Sequence, residues 1–282
     1  MYRSSNFYSL GAALLVLAAA PPAHAVRNGA VDQVNHYANV AGGVFIQPLV
    51  NAPPWDQIPI PWIGGSGVLI HPRVVLTAGH TVEALELVLA AGNSLDAVRT
   101  SVGPDAYDPD TWVEIEAFLK HPNYRSLLSG GIPPGLDMND VGVLILKEPV
   151  LHVAPAQLPE PHLLDMLLDA GELTRQPNPT PFTLVGYGLA DPNDVRADGL
   201  RRVGTLGFLN LRSNRLDCLG SLQGYSGTLQ GDSGGPIFWT DPDSGEEHLV
   251  ATVTGWEQLE THSRIDLPNV LEWLQEVMDL VD

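Results

Sequence analysis

The sequence of 282 residues contains a single cysteine, Cys218. One cysteine cannot form a disulfide within the chain, so the fold must be held together by its apolar core. A single cysteine also excludes a zinc site built from thiolates alone. We interpret Cys218 as a small buried apolar residue and not as a reactive thiol, because most unpaired cysteines serve packing.

Basic residues are scarce as well. Lys and Arg total 14 against 33 Asp and Glu, which gives a net charge of −19. Such a surface has no cluster of cations to neutralise phosphates, so nucleic acid and anionic membranes are not expected as partners. We attribute the acidic excess chiefly to solubility, although an acidic field also steers cationic substrates toward the surface.

Long apolar runs are missing after residue 25. Residues 1–25 have the features of a secretory signal peptide: Arg3 near the start, an apolar stretch over residues 10–20, and Ala23-His24-Ala25 as a cleavage site. The apolar stretch is about half the ~20 residues that a spanning helix needs. We therefore predict an exported protein (periplasmic or extracellular) without a membrane anchor, whose mature chain begins at Val26.

The remaining chain alternates short apolar runs with many of its 28 glycines and 24 prolines. This alternation is typical of all-β sandwiches and barrels. A proline-rich connector, with a short helix over residues 163–168, divides the chain into two β domains, 26–158 and 159–282. A C-terminal helix is predicted with Asp266 as its cap, Pro268 in its first turn and apolar residues at helical spacing, namely Val270, Leu271, Leu274, Val277 and Val281.

The strongest local motif is GDSGGP at residues 231–236. A serine among glycines suits an exposed turn that a ligand can approach closely. We interpret Ser233 as a nucleophile, with the N–H groups of Gly231 and Ser233 directed at a developing oxyanion. A plain surface turn is the alternative.

A serine nucleophile needs a base, and the base needs a carboxylate to orient it. Among the histidines, His80 ends the run RVVLTAGH, where a strand gives way to small residues. Asp140 directly precedes the apolar strand VGVLIL and is our candidate for the carboxylate; Asp137, in the preceding loop, is the alternative.

The order His80, Asp140, Ser233 and the motifs around them resemble the trypsin/chymotrypsin family. GDSGGP matches the family pattern in full, residues 77–80 (TAGH) match T-A-A-H, and residues 140–144 (DVGVL) match the aspartate strand. The resemblance implies an all-β fold of two six-stranded barrels with a C-terminal helix. It also implies hydrolysis of peptide bonds through an acyl-enzyme, without metal or cofactor.

Further roles follow from the same resemblance. Asp232 is expected to form a salt bridge with the amine of Val26, which leads us to hypothesise that signal cleavage itself activates the enzyme. The substrate pocket is assigned to Gly227 at its base, Thr254 beside it, and Glu260 on the opposite wall, where an acid would serve a basic side chain. The Thr254 hydroxyl is also expected to support Asp140. We expect a monomer that acts on protein or peptide substrates.

Two other functions remain open at this point. GDSGG also satisfies G-x-S-x-G, the nucleophile elbow of α/β-hydrolases, but Pro236 follows where that fold requires a helix. A catalytically inactive binding protein on a protease fold is the other alternative, although all three residues of the predicted triad are present.

Overall fold

The computed structural model describes residues 26–126, 139–254 and 260–282. Its strands form two closed antiparallel barrels of six strands each, one after the other along the chain. The predicted fold class is confirmed. Because the strand pairings in the described ranges are antiparallel, the parallel sheet of an α/β-hydrolase is ruled out.

The first barrel closes in the order β2-β3-β4-β7-β6-β5. Val is the commonest residue in its strands, and its β-branched side chain suits a half-buried pleated surface. Leu69, Val75 and Leu146 are among the residues that fill its interior. The strands are β2 (Val40–Phe45), β3 (Trp62–His71), β4 (Val74–Thr77), β5 (Val98–Ser101), β6 (Trp112–Lys120) and β7 (Gly142–Leu146).

The second barrel runs β9-β10-β13-β12-β11-β8 and closes through pairing of β8 with β9. Phe182, Phe208 and Cys218 lie in its core, so the lone cysteine is a buried packing residue, as predicted. The strands are β8 (Pro181–Gly186), β9 (Arg202–Leu211), β10 (Arg215–Leu219), β11 (Pro236–Thr240), β12 (Glu247–Val253) and β13 (Glu260–Arg264).

Each end of the described chain packs against the barrel that lies at the other end of the sequence. A short strand near the start, β1 (Ala30–Val31), pairs with β9 of the second barrel. The C-terminal helix packs on the first barrel, where Trp273 meets His121 edge to face with 5.2 Å between ring centroids. The helices are α1 (Gly79–Ala90), α2 (Leu163–Asp169) and α3 (Pro268–Asp279), and single 3-10 turns span Trp55–Gln57, Leu95–Ala97, Pro109–Thr111 and Ser221–Gln223.

The predicted cap of the C-terminal helix is wrong. The residue before α3 is Leu267, and it makes no side-chain capping bond. The Asp266 carboxylate instead binds Arg264 and accepts a hydrogen bond from the backbone N–H of Leu164 at 2.9 Å. A buried arginine competes successfully for a nearby carboxylate because an unpaired buried charge is costly.

Candidate active site

The turn around Ser233 depends on two glycines in the left-handed region of backbone space. Gly231 has φ of +98° and Gly234 has φ of +80°, values that L side chains rarely adopt. Ser66 fixes the turn from the first barrel: its Oγ donates to the carbonyl of Gly231 at 2.8 Å, and its N–H donates to the carbonyl of Ser233 at 2.8 Å. Ser66 had no signal in the sequence, because its role arises only where the barrels meet.

The N–H groups of Gly231 and Ser233 remain available. Across the described ranges, neither donates a backbone hydrogen bond, whereas the neighbouring Asp232 and Gly235 do. Buried or half-buried backbone donors are nearly always paired in native proteins. Two unpaired donors beside one serine hydroxyl therefore suit an incoming oxyanion.

His80 lies in the first turn of α1, directly after β4. Asp140, fully buried before β7, accepts from the His80 backbone N–H at 2.8 Å and lies 2.8 Å from the ring Nδ1. Since a carboxylate only accepts, Nδ1 carries the proton and Nε2 keeps a free lone pair. Burial lowers the pKa of His80, but the charge and hydrogen bond of Asp140, with a smaller contribution from Glu83, outweigh burial and raise it.

One cleft brings the predicted residues together. His80 and Ser233 both line it, with Gly231, Leu229 and Thr254 around them. Gly79, which departs from the alanine of the family motif, is explained by Tyr124: a Cβ at position 79 would lie 2.7 Å from the tyrosine ring. Tyr124 in turn donates to Glu83 at 2.6 Å, a contact that the sequence did not suggest.

Asp232 and Val26 also meet, and both are wholly buried. The Asp232 carboxylate accepts hydrogen bonds from the N–H groups of Gly188 and Leu229, each at 2.9 Å, and from the backbone nitrogen of Val26. Burial, with the charge of Glu260 as a smaller cause, raises the pKa of Asp232 to about 7. A cation at the Val26 nitrogen would relieve this destabilisation of the ionised carboxylate.

Of the three predicted pocket residues, Thr254 lines the cleft with Ser233, and Gly227 and Glu260 are not among the residues that line it. Gly227 donates its N–H to the carbonyl of Arg27 at 2.9 Å, and Glu260 lies close to its Cα. The expected support of Asp140 by Thr254 is wrong: the Thr254 hydroxyl donates to Ser263 Oγ at 3.1 Å, and a hydroxyl has one proton to give. Asp137, the signal peptide and the neighbours Gly255 and Trp256 lie outside the described residues.

A family model described as Trypsin matches residues 57–280, which is most of the chain. The chain belongs to the trypsin family. This membership agrees with the two barrels and with the cleft between them.

The curated relatives of this trypsin-family chain are distant. Mouse Serine protease 56 is 26% identical over 200 residues, covering 67% of the chain but 30% of that protein. Snake venom serine protease KN5 of Trimeresurus stejnegeri is 25% identical over 230 residues, 76% of both chains. Inactive CLIP domain-containing serine protease A8 of Anopheles gambiae is 34% identical over 101 residues, 34% of the chain and 24% of that protein.

Two features are absent from the described ranges of this trypsin-family chain. No group of three His, Cys, Asp or Glu side chains is placed to hold a metal ion there. In the same ranges, each helix is too short or too polar to span a bilayer.

Proposed function

We propose that this chain is a secreted serine endopeptidase that uses Ser233, His80 and Asp140. The observation that carries the proposal is the double contact between His80 and Asp140, made in the cleft that also contains Ser233. The contact fixes both the ring orientation and the tautomer, leaving Nε2 ready to accept a proton.

In the proposed reaction Ser233 Oγ attacks the carbonyl carbon of a peptide bond while His80 Nε2 takes its proton. The N–H groups of Gly231 and Ser233 stabilise the tetrahedral oxyanion. The intermediate then expels the amine, which leaves with the proton from His80, and an acyl-enzyme remains. Water attacks the acyl carbon with His80 again as base, which releases the acid and restores Ser233.

Activation is proposed to follow from export. Cleavage after Ala25 converts the Val26 nitrogen from an amide into a cationic amine at the place where it already contacts Asp232. The new ion pair stabilises the turn that carries the Gly231 and Ser233 N–H groups. Protein that is isolated with a different first residue and is fully active would contradict this part of the proposal.

The test uses protein beginning at Val26, a fluorophosphonate probe and a mixed-sequence peptide library. We expect labelling and cleavage, and loss of both in Ser233→Ala, with turnover reduced by on the order of 10⁶-fold. Ser244→Ala, which removes an exposed hydroxyl from a distant turn, is the matched control and should retain both.

The same experiment tests the alternative functions. One relative is named as inactive, so a binding protein is the second candidate. A folded protein that neither labels nor cleaves would favour it. Labelling with cleavage of esters but not of peptides would overturn the peptidase assignment.

A further inference from the structure

The cleft that contains Ser233 differs in charge from the rest of the chain. The sequence carries 33 acidic residues, yet none of the described residues that line this cleft is acidic. Apart from His80, the only ionisable side chain among those lining residues is Arg215, at the start of β10. The local charge of the cleft is therefore opposite in sign to the net charge of the molecule.

The guanidinium of Arg215 has no partner within the described ranges. Its Nε is buried without a hydrogen-bond acceptor, and none of the carboxylates described forms an ion pair with it. The acid on the same strand, Asp217, binds Arg212 Nε at 2.6 Å and accepts from the Thr261 hydroxyl at 3.1 Å. Because a buried N–H donor without an acceptor is costly, an acceptor supplied by a ligand would bind favourably at Arg215.

Arg215 is connected to the turn of the nucleophile through two strands. It lies opposite Ser263 in the ladder of β10 and β13, and paired residues place their side chains on the same face. Ser263 Oγ accepts from the hydroxyl of Thr254, which lines the cleft. The carbonyl of the residue before Thr254 accepts from the N–H of Gly234 at 2.9 Å. The guanidinium and the nucleophile therefore border one continuous space.

The two barrels present different surfaces to the two sides of the scissile bond. In the proposed reaction the leaving amine takes its proton from His80, which lies on α1 with the cleft residues Thr81 and Ala84. The leaving part of the substrate thus lies toward the first barrel. The acyl part extends the other way, toward the strands of the second barrel that contribute Arg215 and Thr254 to the cleft.

The net negative charge of the chain does not cancel a contact at Arg215. Exposed charges separated by more than ~8 Å are largely screened at physiological ionic strength, whereas a half-buried contact pair is screened much less. The long-range field slows the approach of an acidic peptide. Once the peptide is in the cleft, the described lining residues include no acid that would repel it.

We propose that Arg215 is a receptor for a carboxylate on the acyl side of the scissile bond, the side chain of a substrate Asp or Glu. A guanidinium offers its Nε–H and a terminal N–H as a fork that matches the two oxygens of a carboxylate. The buried Nε would then gain the acceptor that the described chain does not supply. This receptor deepens the proposed peptidase function and rests on it.

The first arm of the test measures kcat/KM on peptides that differ only by one Glu or Gln. The variable residue is placed in turn at the second, third and fourth positions before the scissile bond and at the first two positions after it. We expect Glu to exceed Gln by on the order of 10-fold at one position before the bond, because only the carboxylate is charged and accepts both N–H groups. After the bond the two should differ by less than about 2-fold.

Variants of Arg215 test whether this residue causes the preference. Arg215→Gln should remove it, and Arg215→Glu should reverse it so that Lys is preferred at the same position. Arg215→Lys should keep only part of it, because the charge remains and the fork is lost. Arg175→Gln, which removes an exposed cation outside the cleft, is the matched control and should leave the ratio unchanged.

The second arm does not depend on catalysis. Binding of each Glu peptide and its Gln counterpart to the Ser233→Ala protein is measured by calorimetry, and we expect about 10-fold tighter binding of one Glu peptide, lost when Arg215→Gln is added. Fluorophosphonate labelling of each variant that keeps Ser233 reports on the nucleophile alone. Preferential binding of Glu without any labelling would refute the peptidase and keep the receptor. Labelling and cleavage without preference for Glu would do the reverse.

Three outcomes would overturn the receptor. The first is equal kcat/KM for Glu and Gln at every position before the bond, and the second is a preference found only after the bond. The third is a preference that persists in a folded, labelled Arg215→Gln protein. Should that variant not fold, Arg215→Lys decides, since its ratio of Glu to Gln must fall several-fold for the receptor to stand.

Discussion

Both carboxylate oxygens of Asp140 accept hydrogen bonds from His80, one from the backbone N–H and one from the ring. The first bond places the start of α1 against the start of β7, and the second turns the imidazole. Because Asp140 is fully buried, no water replaces either bond if one is lost. The residue therefore acts at once on the position and on the protonation of the proposed base.

The first prediction concerns Asp140→Asn. We expect kcat/KM to fall by about 10³–10⁴-fold, because an amide no longer fixes the tautomer of His80. Activity requires neutral His80, so kcat/KM rises with pH through its pKa. That pKa is raised by Asp140, so the rise should move to lower pH in the variant. The pH profile of kcat/KM measures both effects, and Asp243→Asn, an exposed acid, should change neither.

The second prediction concerns Asp232. The pKa of Asp232 is about 7 in the folded chain in which other residues precede Val26, whereas its ordinary value is 3.8. The folded state therefore holds a proton that the unfolded state loses, and the free energy of unfolding falls as the pH rises from 3.8 toward 7. A free amine at Val26 lowers the pKa of Asp232, so the free energy of unfolding no longer falls over this pH range. Urea unfolding at pH above 7 should therefore show a higher midpoint for the chain beginning at Val26 than for the longer chain.

Asp232→Asn provides the control for that comparison. It cannot form the ion pair, so the two chain lengths should then unfold at the same urea concentration. Equal midpoints in the unsubstituted chains would show that the Val26 amine does not pair with Asp232.

At the scale of elements, a buried ion pair joins the segment after β1 to the second barrel. Arg201, fully buried, donates from Nε to Asp32 at 3.0 Å and from Nη1 to the Tyr187 hydroxyl at 3.0 Å. It also contacts the side chain of Asn35. The Tyr187 hydroxyl donates to a backbone carbonyl of the first barrel, Gly103 O at 2.7 Å, so one network links both barrels.

The third prediction follows from this network. Asp32→Asn or Arg201→Met should each lower the free energy of unfolding by about 3–5 kcal/mol, because each leaves a buried group unpaired. The double variant should lose less than the sum of the two, since neither charge remains. Urea denaturation measures all three. Lys147→Met, which breaks an exposed ion pair with Glu114, should change stability little, and additive losses would contradict the coupling.

Local sequence patterns predicted some of the secondary-structure elements and missed others. The β-rich pattern, the short helix over residues 163–168 and the C-terminal helix were all predicted, since periodicity and turn residues are local signals. Helix α1 was missed, because a strand pattern led into His80 and the helix has no side-chain cap. One partner of Asp266 was missed for another reason: the backbone N–H of Leu164, 102 residues away in the chain, reaches it only after folding.

For the whole molecule, the fourth prediction concerns charge. With 33 acidic and 14 basic residues, the chain carries a long-range negative field. If the substrate is cationic, its kcat/KM should fall several-fold between about 0.01 and 0.15 M salt, where the screening length shrinks from ~30 to ~8 Å. Glu260→Gln should keep most of this salt dependence, because one buried charge contributes little to the distant field. A neutral peptide should show no such fall.

The sequence by itself determined the family, the order His80, Asp140, Ser233 and the alternation of strands, since these depend on local motifs and spacing. Tertiary structure alone decided which groups meet. It brought Ser66 to the serine turn and turned the Thr254 hydroxyl to Ser263 and not to Asp140. Contacts between residues far apart in the chain are fixed by the packing of two barrels, and no local pattern encodes them.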